Sequence, residues 1–90
     1  MIQFAAMRLY AWDHVPEDPV NPHLSRRVIH GEKMTLAQIR LKKGATVQEH
    51  RHEHEQMSMV QMGRLRFVVG GEEAMLQAGD MLLIPPGAPH

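Results

Sequence analysis

The chain has 90 residues, with ten basic and ten acidic side chains and no cysteine. This length predicts one small domain over residues 1–90, which buries roughly 60–65% of the surface that the unfolded chain exposes. The balanced charge and the small number of aromatic residues argue against nucleic-acid binding. No apolar run approaches the roughly 18 residues of a membrane span. Without cysteine, disulfides and thiolate metal sites are excluded. We therefore expect a cytoplasmic protein that binds neither nucleic acid nor a membrane.

The first 22 residues are expected to form an N-terminal arm followed by a proline-rich connector. The arm, MIQFAAMRLYAW (1–12), is apolar enough for an edge strand but lacks the regions that define a signal peptide. The connector, DHVPEDPVNP (13–22), contains three prolines and no periodicity, so it is predicted to be irregular. An exposed apolar edge invites aggregation. We therefore expect a homodimer in which the arm covers the sheet of the second copy.

From Leu24 onwards the apolar residues recur with a period of two, which is typical of strands. The sequence Gly70-Gly71 between two such runs predicts a two-residue hairpin, because glycine accepts the positive φ angles that a type I′ turn needs. No segment predicts a helix. Short strands at this spacing predict an all-β sandwich or barrel. The predicted strands cover residues 24–30, 34–41, 46–52, 56–61, 64–69, 73–77 and 81–84.

Residues 50–56 read HRHEHEQ, and this histidine-rich stretch allows two interpretations. On a strand, positions 50, 52 and 56 would project from the same face, so that two imidazoles could converge on one ion. The alternative is a solvated loop that binds metal adventitiously or not at all. A helical HExxH zinc site is excluded, because Gln56 stands where its second histidine would be needed.

Two spaced motifs distinguish this stretch from a random polar loop. In the first, Gly44 is followed after five residues by His50-x-His52, after three more by Gln56, and after six more by Gly63. In the second, Gly79 is followed after five residues by Pro85-x-Gly87 and after two more by His90. Together the motifs resemble those of the cupin superfamily, over residues 34–90. The one departure is Gln56, which stands where glutamate is usual.

The resemblance implies a cupin jelly-roll barrel, or double-stranded β-helix, that holds one divalent transition metal: manganese, iron, nickel or zinc. His54 has no counterpart in the motif and is interpreted as a turn residue at the barrel mouth. Cupins continue beyond the second motif with strands that close the barrel. We expect these strands from a longer chain or from a neighbouring subunit. The metal ligands implied by position are His50, His52, Gln56 and His90.

The glutamine decides which chemistry is favoured. Three imidazoles and an amide leave the charge of a divalent site near +2, which favours Lewis-acid chemistry of the lyase or isomerase type on a small oxygenated substrate. Some cupins with glutamine here resemble pectin-degradation proteins that open unsaturated uronate rings, and residues 25–45 loosely resemble that group. A sugar-derived acid is therefore the expected substrate. A metal-dependent dioxygenase and a non-enzymatic ligand-sensing module stay open as alternatives, and no catalytic base is selected.

Overall fold

The computed structural model describes residues 7–90 and is nearly all-β, which confirms the predicted fold class. Its one helical element among the described residues is a single 3-10 turn, Trp12–His14. No helix within residues 7–90 is long and apolar enough to cross a membrane. Of the predicted N-terminal strand, residues 1–6 lie outside the described residues and residues 7–11 form no strand.

The chain divides into two compact units, with the boundary between Thr46 and Val47. The prediction of a single domain stays a prediction. The first unit contains an antiparallel three-stranded sheet in the order β1-β2-β3. Its strands are β1 (Asp18–Asn21), β2 (Leu24–His30) and β3 (Thr35–Leu41).

Strand β1 corrects the prediction that residues 13–22 are irregular. Its backbone pairs with β2, and the register shifts between Pro19 and Asn21. Because β1 lies at the edge of the sheet, Pro19 is tolerated without the hydrogen-bond donor that an inner strand would require. An edge strand of this kind depends on its partner strand, so its own sequence carries no strand periodicity.

The second unit contains two antiparallel strand pairs, β4 with β7 and β5 with β6. Gly70 and Gly71 join β5 to β6 with φ angles of 56° and 85°, as the hairpin prediction requires. The predicted strand over residues 46–52 is wrong, because the structure has no strand there. The four strands are β4 (Gln56–Met59), β5 (Arg64–Val69), β6 (Glu72–Gln77) and β7 (Met81–Ile84).

The β4–β7 pair has one part-buried face and one exposed face. Gln56 lies opposite Ile84, and Ser58 lies opposite Leu82. Ile84 is fully buried, and Gln56, Ser58 and Leu82 are part-buried. The alternation of a strand therefore puts the polar side chains of Gln56 and Ser58 on the same face as the most buried residue of the unit.

Candidate metal centre

The predicted ligands come from three segments of the second unit. His50 and His52 lie in the irregular segment before β4, Gln56 is the first residue of β4, and His90 follows the turn after β7. His50 and His90 exchange both backbone hydrogen bonds, at 2.8 and 2.9 Å. Gly87 has a φ of 75° and donates to the carbonyl of His52 at 2.8 Å. These backbone bonds, and not a regular strand ladder, hold the two motifs side by side.

This pairing brings the rings of His50, His52 and His90 together. One ring nitrogen from each lies within 4.8 Å of the others. The ring centroids of His50 and His90 are 4.2 Å apart, and those of His52 and His90 are 5.0 Å apart. His52 and His90 are part-buried, while His50 is exposed. The three imidazoles thus surround a small volume that is open on the His50 side.

Backbone carbonyls select which nitrogen of each ring carries the proton. A carbonyl oxygen can only accept, so the Nδ1 atom that faces it must be the donor. The proton on Nδ1 leaves Nε2 of the neutral ring with a free lone pair, which is the form of histidine that binds a metal. The three donors are Nδ1 of His50 to the oxygen of Gln48 at 3.1 Å, Nδ1 of His52 to that of His54 at 2.8 Å, and Nδ1 of His90 to that of Ala88 at 2.8 Å.

Gln56 adds an oxygen to this group of nitrogens. Its Oε1 lies 3.0 Å from Nε2 of His52, and its Nε2 donates to Oγ of Ser58 at 2.8 Å. With the proton of His52 on Nδ1, both atoms of the 3.0 Å contact are acceptors. Two acceptors at this distance repel each other unless a cation lies close to both.

The residues present therefore fit a divalent metal. Nε2 of His90 is buried and has no hydrogen-bond partner. An unpaired buried acceptor is unfavourable, and a metal ion would satisfy it. Three imidazole nitrogens and an amide oxygen form a donor set that suits the first-row transition metals.

Other residues near the motif have different roles from the four predicted ligands. His54 contributes its backbone oxygen to the orientation of His52, and its imidazole is not part of the three-histidine group. Ser58 was not among the predicted site residues, although a period of two puts it on the same face as Gln56. The carboxylates of the segment are exposed: Glu49, Glu53 and Glu55.

The first unit holds a separate polar cluster around Glu17. A hydrogen bond from the hydroxyl of Ser25, together with the charges of Arg27 and Arg40, lowers the pKa of Glu17. The two arginines lie 3.8 and 3.9 Å from its carboxylate. Only 17% of the Arg27 side chain is exposed, and its guanidinium contacts both Glu17 and Gln38. A groove of about 1020 Å³ also lies in this unit and is lined by none of the predicted ligands.

Comparisons with known proteins identify the family and the fold of the chain. A family model described as "Cupin domain" matches residues 37–90, more than half of the chain. The chain is also similar to the crystal structure of an RmlC-like cupin from Shewanella frigidimarina, with a TM-score of 0.80 and 24% sequence identity over 94% of this chain and 78% of that chain. A search of the curated proteins found no match. The structural likeness confirms the predicted cupin fold, and the match to the family model shows that the chain belongs to the cupin family.

Proposed function

We propose that this cupin binds one divalent transition metal through His50, His52, Gln56 and His90, and that it is a metal-dependent enzyme of the lyase or isomerase type. The observation that carries the proposal is the donor set: three imidazoles with free Nε2 atoms and an amide oxygen turned toward one of them. All four donors are neutral. A divalent metal bound there would keep a charge near +2 and would polarise a substrate carbonyl or carboxylate oxygen as a Lewis acid.

The residues of the chain have two tasks in this proposal. The backbone carbonyls of Gln48, His54 and Ala88 hold the three rings in the correct tautomer, so that no proton has to leave a ring when the metal binds. The exposure of His50 leaves one side of the site open to a small molecule. No carboxylate belongs to the histidine group among the described residues, so we assign no general base.

The substrate class follows from charge. A site with a charge near +2 and only neutral ligands favours an anionic oxygen ligand, since each negative charge on the substrate offsets charge that the protein leaves uncompensated. We therefore propose a small oxygenated acid, such as a sugar-derived or unsaturated uronic acid. The loose resemblance of residues 25–45 to cupins of pectin degradation supports this substrate class.

The experiment uses protein purified without a histidine tag and loaded separately with manganese, iron, nickel or zinc. Ring opening of an unsaturated uronate is followed by absorbance, and oxygen uptake is followed with an electrode. Activity with redox-inert zinc and without oxygen uptake is the expected result. Oxygen uptake with iron would refute Lewis-acid chemistry in favour of a dioxygenase. Metal binding without turnover in both assays would leave the protein as a ligand-binding module.

We also propose that the protein is a homodimer. The exposed apolar side chains support this proposal. Met7 and Leu9 are 92% and 100% exposed, and the outer face of the β4–β7 pair carries Met57, Met59 and other half-exposed apolar residues. Light scattering at micromolar concentration should give the mass of two chains, and Leu9→Lys should shift it toward one. A stable monomer of the parent protein would refute the dimer.

A further inference from the structure

The strand β4 contains a polar residue that the metal-site proposal does not use. We propose that Ser58 is a positioning residue of the metal site, which rests on the proposed function above: by accepting a hydrogen bond from Nε2 of Gln56, it turns Oε1 of that amide toward the metal. The bond is 2.8 Å long, and both side chains are part-buried on the same face of the strand.

The amide of Gln56 has an oxygen end and a nitrogen end of nearly equal size, so packing alone does not distinguish them. Its nitrogen end needs an acceptor. The residues opposite Gln56 and Ser58 on β7 are Ile84 and Leu82, neither of which offers a polar side-chain atom. The hydroxyl of Ser58 is the acceptor that the amide nitrogen has in this structure. Ser58 therefore gives the amide nitrogen a hydrogen-bond partner in the oxygen-inward orientation.

Without the hydroxyl, the opposite orientation is favoured. Nε2 of His52 has a free lone pair and lies 3.0 Å from the inner end of the amide. If the amide turns over, its nitrogen can donate to that lone pair, and a part-buried donor regains a partner. Such a bond would occupy the lone pair on Nε2 of His52 and would turn Oε1 of Gln56 away from the metal site. The loss of Ser58 should therefore weaken metal binding although Ser58 does not touch the metal.

The test compares Ser58→Thr with Ser58→Val. These two side chains are nearly isosteric and both suit a strand, but only threonine keeps the hydroxyl. The affinity for zinc is measured by competition with a chelator, and the visible spectrum of the cobalt-loaded protein reports the ligand set. We expect Ser58→Thr to bind zinc within about twofold of the parent. We expect Ser58→Val to bind about fivefold more weakly, the typical loss for one hydrogen bond, with a changed cobalt spectrum.

A double-mutant cycle separates orientation of the amide from a general effect on the strand. In a Gln56→Ala background there is no amide to orient, so Ser58→Val should cause no further loss of affinity. Met59→Ala, on the opposite face of the same strand, controls for loosening of β4 and should bind zinc like the parent. Equal losses in both backgrounds, or parental affinity in Ser58→Val, would overturn the positioning role.

Failure of this inference can be distinguished from failure of the proposed function. If the parent binds no zinc, or if His52→Ala binds as much as the parent, then the metal site itself is refuted, and the role of Ser58 is refuted with it. If His52→Ala abolishes binding while both Ser58 variants bind like the parent, only the positioning role is refuted.

Discussion

Replacing His52 with alanine should remove most of the stability that a metal ion gives to the protein. His52 is the histidine of the three whose ring contacts Oε1 of Gln56. Its ring also donates to the carbonyl oxygen of His54, and its own carbonyl oxygen accepts a hydrogen bond from Gly87. The substitution keeps the backbone bond and removes the ring. It therefore tests the ligand role with little change to the pairing of the two motifs.

The magnitude follows from linkage. A metal present at 100 times its dissociation constant stabilises the folded state by about 2.7 kcal/mol. For a domain of this size, that corresponds to an increase in Tm of about 11–22 °C. If loss of one ligand weakens binding at least about 100-fold, the same metal concentration contributes about 0.4 kcal/mol, or about 2–3 °C. Without metal, the His52→Ala variant should be about 1 kcal/mol less stable than the metal-free parent, because the 2.8 Å hydrogen bond from the ring to the carbonyl of His54 is absent.

The assay is thermal unfolding followed by circular dichroism, with and without zinc, for the parent and two variants. His54→Ala is the matched control, since it removes the same type of side chain two residues away and keeps the carbonyl that orients His52. The control should keep the full metal-dependent increase in Tm. An equal increase in the His52→Ala variant would refute the assignment of His52 as a ligand. Equal losses of the metal-dependent increase in Tm in the His52→Ala and His54→Ala variants would show that the histidine-rich loop binds metal without a defined set of ligands.

Three further predictions concern the fold of the second unit. Ile84→Ala should lower the free energy of unfolding by about 2–5 kcal/mol in urea titrations, because the side chain is fully buried. Leu83→Ala is the control and should lower it far less, because that side chain is 55% exposed. Similar losses in the two variants would contradict the assignment of Ile84 to the core. The hydrogen bonds from Arg66, together with its charge, lower the pKa of Glu73 from its ordinary value of 4.5. The pair should therefore stabilise the folded state above pH 4.5, and this stabilisation should be lost as the pH falls through the lowered pKa. Glu73→Gln should therefore flatten the dependence of unfolding on pH below about pH 4.5, and an unchanged dependence would refute the pairing. Gly71→Ala should destabilise the protein by about 1 kcal/mol in urea titrations, because its φ of 85° is strained for a residue with a Cβ, and a neutral effect would mean that the turn adopts another conformation.

The strands that the sequence predicted correctly are those whose signal is local. Residues 24–30, 64–69 and 81–84 match β2, β5 and β7 to the residue, because a glycine or a proline directly follows each of these runs. Strand β1 was missed, because it includes a proline and owes its extended form to pairing with β2. Residues 46–52 alternate like a strand but have few backbone partners, since the backbone bonds of His50 and His52 go to His90 and Gly87 instead of a continuous neighbouring strand.

By itself, the sequence determined which residues are available for a metal site. The two motifs resemble those of cupins, and this resemblance implied the ligands His50, His52, Gln56 and His90. The amide of Gln56 then implied a site of neutral ligands. These properties depend only on residue type and separation along the chain. Tertiary structure decided which ring nitrogens face inward and which end of the amide points toward His52. It did so through partners that no spacing rule includes, namely the backbone carbonyls next to each histidine and the hydroxyl of Ser58. A hydrogen bond depends on where two groups meet in space, and only the folded backbone brings these groups together.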